Sequence, residues 1–331
     1  MKLHHRKFLH LAASAGALVF GFSSSPGMAQ EWPARPVTMV VPTAAGGGAD
    51  MLGRILAGRL SEILGQPVIV ENVGNSVAAN NRIAKGVPDG YNFILGSTGP
   101  LAFHPTLYKT PVYDSRTDFA PVALAVEQPF LLVTRLDFPA NNLQEFIAYT
   151  KANQDKLQYG SGVGTGSGNH VSCEMLNSTI GVKVTHVPYR DQGRLTQDMI
   201  ASRIDYQCVL PGTMIPLLQA NKVKAIATLG KGRLAALPNL PSAQEQGLTD
   251  FDAPNWFGFF MPKGTPEAII RKLNAATIAA LDTPSVQERF GALAATAVAS
   301  ERRSPQYLQK FLMSEIEKWG AQIKAAGVLI E

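Results

Sequence analysis

Short β-branched runs alternate with amphipathic helical patterns along most of the chain. Residues 37–41 form a strand-like run, 46–48 a loop, and 50–64 a predicted helix with Leu52, Ile55, Leu56, Leu60, Ile63 and Leu64 on one side. The same order returns with a strand at 68–70 and a helix at 78–85. A strand at 91–95 follows the turn signal Pro88-Asp89-Gly90. A second set opens with a strand at 130–134, a helix at 143–152, a strand at 157–159 and a glycine-rich loop before a helix from Asn169. Strands at 183–187, 206–210 and 224–228 follow, with a helix near 195–202. Beyond Pro262-Lys263-Gly264-Thr265-Pro266 the pattern changes to long amphipathic helices at 267–281 and 305–324. The second of these sets Leu308, Phe311, Leu312, Ile316, Trp319 and Ile323 at helical spacing, a stripe read as core packing. Strand and helix alternation in two similar halves predicts an α/β fold rather than a sandwich.

With 331 residues, 46% of them hydrophobic, the chain exceeds one ordinary core, so two lobes are expected. The formal charge of +5 shrinks once the amino terminus is set aside: Lys2, Arg6 and Lys7 leave 27 basic against 25 acidic residues. No clustered basic stripe remains, and no nucleic-acid partner is expected. Residues 1–29 run from a basic stretch through an apolar one to Gly27-Met28-Ala29, the pattern of a signal peptide cleaved near Ala29. The stretch His5-Arg6-Lys7-Phe8-Leu9 is similar to a twin-arginine signal, but with His5 in place of the first arginine, so the export route stays open. The apolar stretch is shorter than the roughly 20 residues a membrane span needs. Export places the chain in an oxidising compartment, where Cys173 and Cys208 could pair; two buried free thiols are the alternative.

Two loops carry candidate chemistry. Thr43-Ala44-Ala45-Gly46-Gly47-Gly48-Ala49-Asp50 runs into a predicted helix, where glycines allow close approach and the helix start offers unpaired N–H donors to an anion. A plain helix start capped by Asp50 is the other reading. No Lys-Ser or Lys-Thr follows to make a P-loop, and no G-x-G-x-x-G spacing suggests a dinucleotide. In the second half, residues 160–168 hold five glycines in nine positions, and Ser161, Thr165 and Ser167 add hydroxyl donors. Two donor-rich helix starts facing one cleft would clamp a small anion between lobes. Ser97-Thr98-Gly99 and Tyr189-Arg190-Asp191 are lesser candidates of the same kind. Neither Ser161 nor Ser167 sits in G-x-S-x-G, because Tyr159 and Thr165 occupy the glycine positions. His104, His170 and His186 have no metal-ligand spacing, so neither a metal nor a cofactor is expected.

At these same residues the chain resembles the Bug family, the periplasmic solute-binding receptors of tripartite tricarboxylate transporters. The resemblance runs from Trp32-Pro33-Ala34-Arg35-Pro36 to Ala326-Gly327. It includes Gly46-Gly47-Gly48-Ala49-Asp50, Leu64-Gly65-Gln66-Pro67, Val70-Glu71-Asn72, Pro88-Asp89-Gly90-Tyr91, His186-Val187-Pro188-Tyr189-Arg190 and Trp256-Phe257-Gly258. It implies a two-lobed, type II periplasmic-binding-protein fold with a ligand cleft between the lobes. Lobe 1 would comprise 30–129 plus 254–331 and lobe 2 would comprise 130–253, with hinge crossings near 128–130 and 252–256. It also implies a small carboxylate held by Thr43, Ala44, Ala45, Gly46, Gly47 and Asp50, with the pocket completed by Gly74, Asn75 and Ser76 and by Ser97 and Thr98. From lobe 2 the implied contributors are Ser161, Gly162, Val163, Gly164 and Thr165, then Tyr189, Arg190 and Asp191.

The implied function is that of a monomeric receptor, not an enzyme, that delivers its ligand to membrane transporter subunits. A receptor acting on a sensor kinase is the alternative, and a hydrolase using Ser161 or Ser167 is a third reading. Two departures stand out. Residues 73–78 replace the family's usual Arg-Pro-Gly-Ala-Gly-Gly and are followed by a stretch about two residues shorter, and Asp191 and Arg194 replace positions that are often Gly and Pro. Asp191 would repel a second ligand carboxylate if it lined the cleft.

Overall fold

The computed structural model describes residues 31–326. The chain begins with β1 (Val37–Val41), α1 (Gly48–Leu64), β2 (Val68–Asn72), α2 (Ser76–Ala84) and β3 (Asn92–Ser97). A π-helical segment, Gly99–Phe103, runs into the short α3 (His104–Leu107), and β4 (Phe119–Glu127) follows. The middle of the chain forms β5 (Leu131–Arg135), α4 (Leu143–Asn153), β6 (Gln158–Ser161), α5 (Gly168–Ile180) and β7 (Thr185–Pro188). It continues with α6 (Gln192–Ile200), β8 (Tyr206–Val209), α7 (Pro211–Gln219) and β9 (Val223–Thr228). The last stretch contains β10 (Trp256–Pro262), α8 (Glu267–Leu281), α9 (Pro284–Ala292), β11 (Thr296–Ala297) and α10 (Pro305–Ala326).

These strands form two sheets, in the orders β11-β4-β10-β3-β1-β2 and β7-β6-β8-β5-β9. In the first, β1 lies parallel to β2 and β3, and β10 runs antiparallel between β3 and β4. In the second, β6 lies parallel to β7 and β8, while β5 is antiparallel to β8 and β9. The chain leaves the first sheet after Glu127 and returns to it at Trp256. The two passages lie side by side, joined by a 2.9 Å hydrogen bond from Gln128 N to Asn255 O. The fold is therefore two-lobed α/β with two crossings.

Each lobe buries helices against its sheet. Leu52, Leu56 and Leu60 of α1 pack with Phe93, Phe259 and Leu273 on one face of the first sheet. On its other face lie Ile94, Phe103 and Phe260 with the α10 stripe of Leu308, Leu312, Ile316, Trp319 and Ile323, all buried. Trp319 meets Phe103 edge-on at 4.9 Å between ring centroids, and its indole N–H donates to Glu315 at 2.7 Å. Burying side chains of this size contributes roughly 1.5–3 kcal/mol each. The carboxy-terminal helix thus returns to the first lobe.

Two strands central to the first sheet, β4 and β10, have no counterpart among the predicted elements. Every residue of β10 is buried, so its sequence shows no alternation and its period cannot mark it as a strand. Cys173 on α5 and Cys208 on β8 are joined, with Cα atoms 5.4 Å apart, which settles the pairing left open by their spacing. Among the described residues no helix is long and apolar enough to cross a membrane. The signal-peptide reading falls on residues outside those described.

Candidate ligand cleft

The first candidate loop links β1 to α1. Gly47 is the helix N-cap, with extended backbone and no side-chain cap, and Gly46 adopts a left-handed φ of +81°, which favours glycine. Asp50, two per cent exposed, turns its carboxylate back onto the loop. It accepts from Gly46 N at 2.8 Å, Asn72 Nδ2 at 2.9 Å and Arg54 Nε at 3.0 Å. Burial opposes its charge, but these hydrogen bonds and the Arg54 charge outweigh it and hold the carboxyl below its usual range. Asp50 therefore braces the loop, and leaves the first N–H groups of α1 without a side-chain cap.

The second loop links β6 to α5. Ser167 is the N-cap: its Oγ accepts from His170 N at 3.3 Å and donates to Gly164 O at 2.7 Å. Ser161 Oγ lies 2.8 Å from His186 Nε2 and 3.1 Å from Gly164 O. Gly166 N donates to His170 Nδ1 at 3.2 Å, so that nitrogen is unprotonated and the proton sits on Nε2, facing Glu174 at 4.0 Å. The Tyr159 hydroxyl also bonds Glu174. Burial, with a smaller contribution from His186, pushes His170 down to about 3; burial also pushes His186 down to about 4 and raises Glu174. Both imidazoles are neutral over the physiological range.

The lobes touch across the cleft. A Cβ on Gly99, in the first lobe, would fall 2.6 Å from Gly168 N in the second, and one on Gly48 would fall 2.8 Å from Leu210 Cδ1. At Gly99, where the neighbour is backbone, only glycine permits so close an approach. A cavity of about 60 Å³ lies between the lobes. Gly47, Gly48 and Ala49 at the start of α1 and Ser167, Gly168 and Asn169 at the start of α5 line it from opposite lobes. The first residues of α2 and α6, Ser76 and Gln192, reach it as well, as does Thr213 in the first turn of α7. Phe130, Val163, Leu210 and Phe257 supply apolar wall, and no lining residue carries a charge. Helix starts and hydroxyls in an uncharged setting can hold an anion by N–H donation and dipole alone.

Of the residues expected from sequence, Thr43, Gly47, Ser76, Ser97 and Val163 line this cavity. Ala44, Ala45, Gly46, Gly162 and Asp191 line a neighbouring groove. Another groove takes Gly74, Asn75, Gly164, Thr165, Tyr189 and Arg190. Asp50, Thr98 and Ser161 line none of these. Thr98 is fully buried, its Oγ1 accepting from Trp256 N at 2.9 Å, and so fixes the second crossing. Asn75 and Asp191 are N-caps, accepting from Ala78 N at 2.9 Å and Arg194 N at 2.8 Å. The Asp191 carboxylate is thereby engaged with its own helix, outside the enclosed cavity. Gln192 and Asn255 belong to the cavity but carried no sequence signal: neither stands in a glycine-rich loop or a recognisable spacing.

A model of the family described as "Tripartite tricarboxylate transporter family receptor" matches residues 52–328. This chain belongs to that family. Among solved structures, the receptor is similar to the periplasmic binding protein BugD, at 34% identity and a TM-score of 0.86, covering 91% of this chain and 100% of that one. It is similar to MatC of Rhodopseudomonas palustris, solved with malate, at 36% identity and TM-score 0.84 over 88% of this chain and 100% of MatC. A further R. palustris protein, solved with adipate, shows 32% identity and TM-score 0.83, covering 90% and 99%. The Bug-family resemblance and the periplasmic-binding-protein fold thus hold, and these homologues are solute-binding receptors rather than enzymes.

Proposed function

We propose that this chain is a periplasmic receptor for a small organic carboxylate, which it delivers by lobe closure to tripartite tricarboxylate-type transporter subunits in the membrane. The observation that carries the reading is the convergence of helix starts from both lobes on one cavity lined by no charged side chain. A carboxylate there gains N–H donors and dipole ends from both sides only when the lobes are together, so ligand binding and closure reinforce each other. The solved relatives that hold malate and adipate support the same ligand class. In this reading lobe 1 comprises 30–129 plus 254–331, lobe 2 comprises 130–253, and the chain acts as an exported monomer.

The test is thermal unfolding of the exported form against dicarboxylates, tricarboxylates, aromatic acids and acidic amino acids, after refolding to strip bound ligand. A ligand at about 100 times its Kd adds roughly 2.7 kcal/mol, which is several degrees in Tm. A selective rise for one class of acid is the expected result. If no carboxylate shifts the transition, the carboxylate reading is wrong.

A further inference from the structure

Leu210 joins β8 to α7 and is the N-cap of that helix. Pro211 follows, and a residue before proline is held extended, as Leu210 is at φ −67° and ψ 136°. Two residues earlier, Cys208 is bonded to Cys173, and its carbonyl oxygen accepts from Asn169 Nδ2 at 2.9 Å. The backbone therefore aims the leucine side chain in one direction. It lies against Gly48, the first residue of α1, where an added Cβ would fall 2.8 Å from Leu210 Cδ1 and 3.0 Å from Leu210 Cβ. Rotating the side chain can withdraw Cδ1, but Cβ moves only with the backbone, so a larger residue at 48 must push α1 and Leu210 apart. Gly48 has no positive φ, so what glycine supplies here is room.

Leu210 also packs against the apolar cluster that α1 and α8 form on one face of the first sheet. Among the described residues it is the one side chain from between the two crossings to reach that cluster. Beside it, a Cβ on Gly212 of α7 would fall 3.1 Å from Leu293 Cδ2 and 3.3 Å from Met51 Cε, both belonging to the first lobe. The Leu293 carbonyl oxygen accepts from Gln128 Nε2 at 2.7 Å, which ties this contact to the first crossing. Apolar contact is non-directional and does not depend on what occupies the neighbouring cavity, which Leu210 also lines.

We infer that Leu210 is a positioning residue for ligand retention: an apolar latch that holds the lobes together with or without ligand, and so slows the release of every ligand by the same factor. This rests on the lobe closure proposed above, but not on the ligand being a carboxylate. A contact that raises the fraction of closed protein tightens all ligands alike, whereas a contact to the ligand itself changes their ranking.

The experiment has two arms, both on the exported form refolded to strip bound ligand. Stopped-flow tryptophan fluorescence measures association and release of succinate, glutarate, adipate and citrate. In Leu210→Ala, release of each acid that binds the parent should quicken about tenfold, by one common factor, with association within about twofold. Small-angle X-ray scattering then compares the ligand-free proteins. Leu210→Asn, of similar volume but polar, and Gly48→Leu, which fills the space at the contact, should both show a larger radius of gyration than the parent. Gly58→Leu, on the same helix at a position where a Cβ meets nothing within 4 Å, should match the parent. Unchanged release in Leu210→Ala overturns the inference. Factors that differ more than about threefold between acids do so too, because they make Leu210 a ligand contact. Equal radii in the parent, Leu210→Asn and Gly48→Leu also overturn it. If no acid binds the parent, the carboxylate reading is what fails, and scattering still decides the latch. If Leu210→Ala does not fold, Gly48→Leu against Gly58→Leu decides it.

Discussion

The loop into α1 is held by a charged carboxylate, whereas the loop into α5 is held by hydroxyls and neutral imidazoles, though both deliver a helix start to the same cavity. Asp50 gathers Gly46 N, Asn72 and Arg54 on one side. Ser161, Ser167 and His170 do the corresponding work on the other, with His186 behind Ser161. A charged brace makes strong hydrogen bonds but must be paid for in desolvation, which Arg54 offsets. A neutral brace avoids that penalty, makes weaker bonds, and lasts only while its imidazoles stay unprotonated. The second helix carries a covalent tie that the first lacks, since Cys173 fastens α5 to β8. The comparison teaches that equivalent helix starts need not be equally robust, and that each should fail under a different stress.

Removing the tie should have the largest effect. The bridge spans a sequence separation of 35, and closing a loop of that length stabilises the folded chain by about 3–4 kcal/mol. Cys173→Ala with Cys208→Ala should lose that much in urea unfolding at pH 7, and reductant should act on the parent protein but not on the variant. A loss below about 1 kcal/mol would show that the neutral brace holds α5 unaided.

The charged brace comes next. Asp50→Ala leaves Gly46 N and Asn72 Nδ2 without this acceptor and frees Arg54 Nε, and should destabilise the fold by about 1–2 kcal/mol, with weaker ligand binding. An unchanged unfolding midpoint would mean that the glycine geometry alone holds the first loop.

The contact between the lobes at Gly99, which opens the π-helical segment, and Gly168, which opens α5, can be probed without touching either brace. Gly99→Ala places a methyl 2.6 Å from Gly168 N in the closed form only. Carboxylate affinity should fall about tenfold, or about 1.4 kcal/mol, while the ligand-free Tm stays within about a degree. Gly58→Ala, whose added methyl meets nothing within 4 Å, is the matched control and should leave affinity unchanged. Equal loss in both variants would place the effect in α1 or the π-helical segment rather than in closure.

Much of this was legible in the residues. β1 and α8 fall where the hydrophobic pattern puts them, to the residue, because one is a bounded β-branched run and the other has a clean amphipathic period. The two glycine-rich loops into α1 and α5 were legible because glycines cluster there directly before a helical pattern. β4 and β10 were not, since strands buried on both faces lose their alternation. Gln192 and Asn255 were not either. The orientation of the Gln192 amide is set by Gln207, fifteen residues away in sequence, and by Met199 and Met214 beyond it. Spacing cannot encode which atom of an amide a neighbour leaves free.

Acid separates the two braces most gently. Asp50 is held below the usual carboxylate range, so its contribution is fully present above the unfolded value and is lost only as pH falls toward its lowered native one. His186 behaves differently: burial lowers it from 6.5 to about 4. Between those values the unfolded chain binds a proton that the folded chain refuses, so stability is complete above 6.5 and declines as pH drops to about 4. His104 and His170 add the same sign from burial, whereas Glu174, raised by burial, takes its proton early in the folded state and partly offsets them. His186→Gln keeps an amide to meet Ser161 Oγ and removes one of these titrations. Between pH 6.5 and 4.5 the variant should lose about 1 kcal/mol less than the parent, a figure discounted for the partial exposure of His186. Parallel pH profiles would mean that the second loop is not braced through His186, and that the disulfide carries its acid tolerance instead.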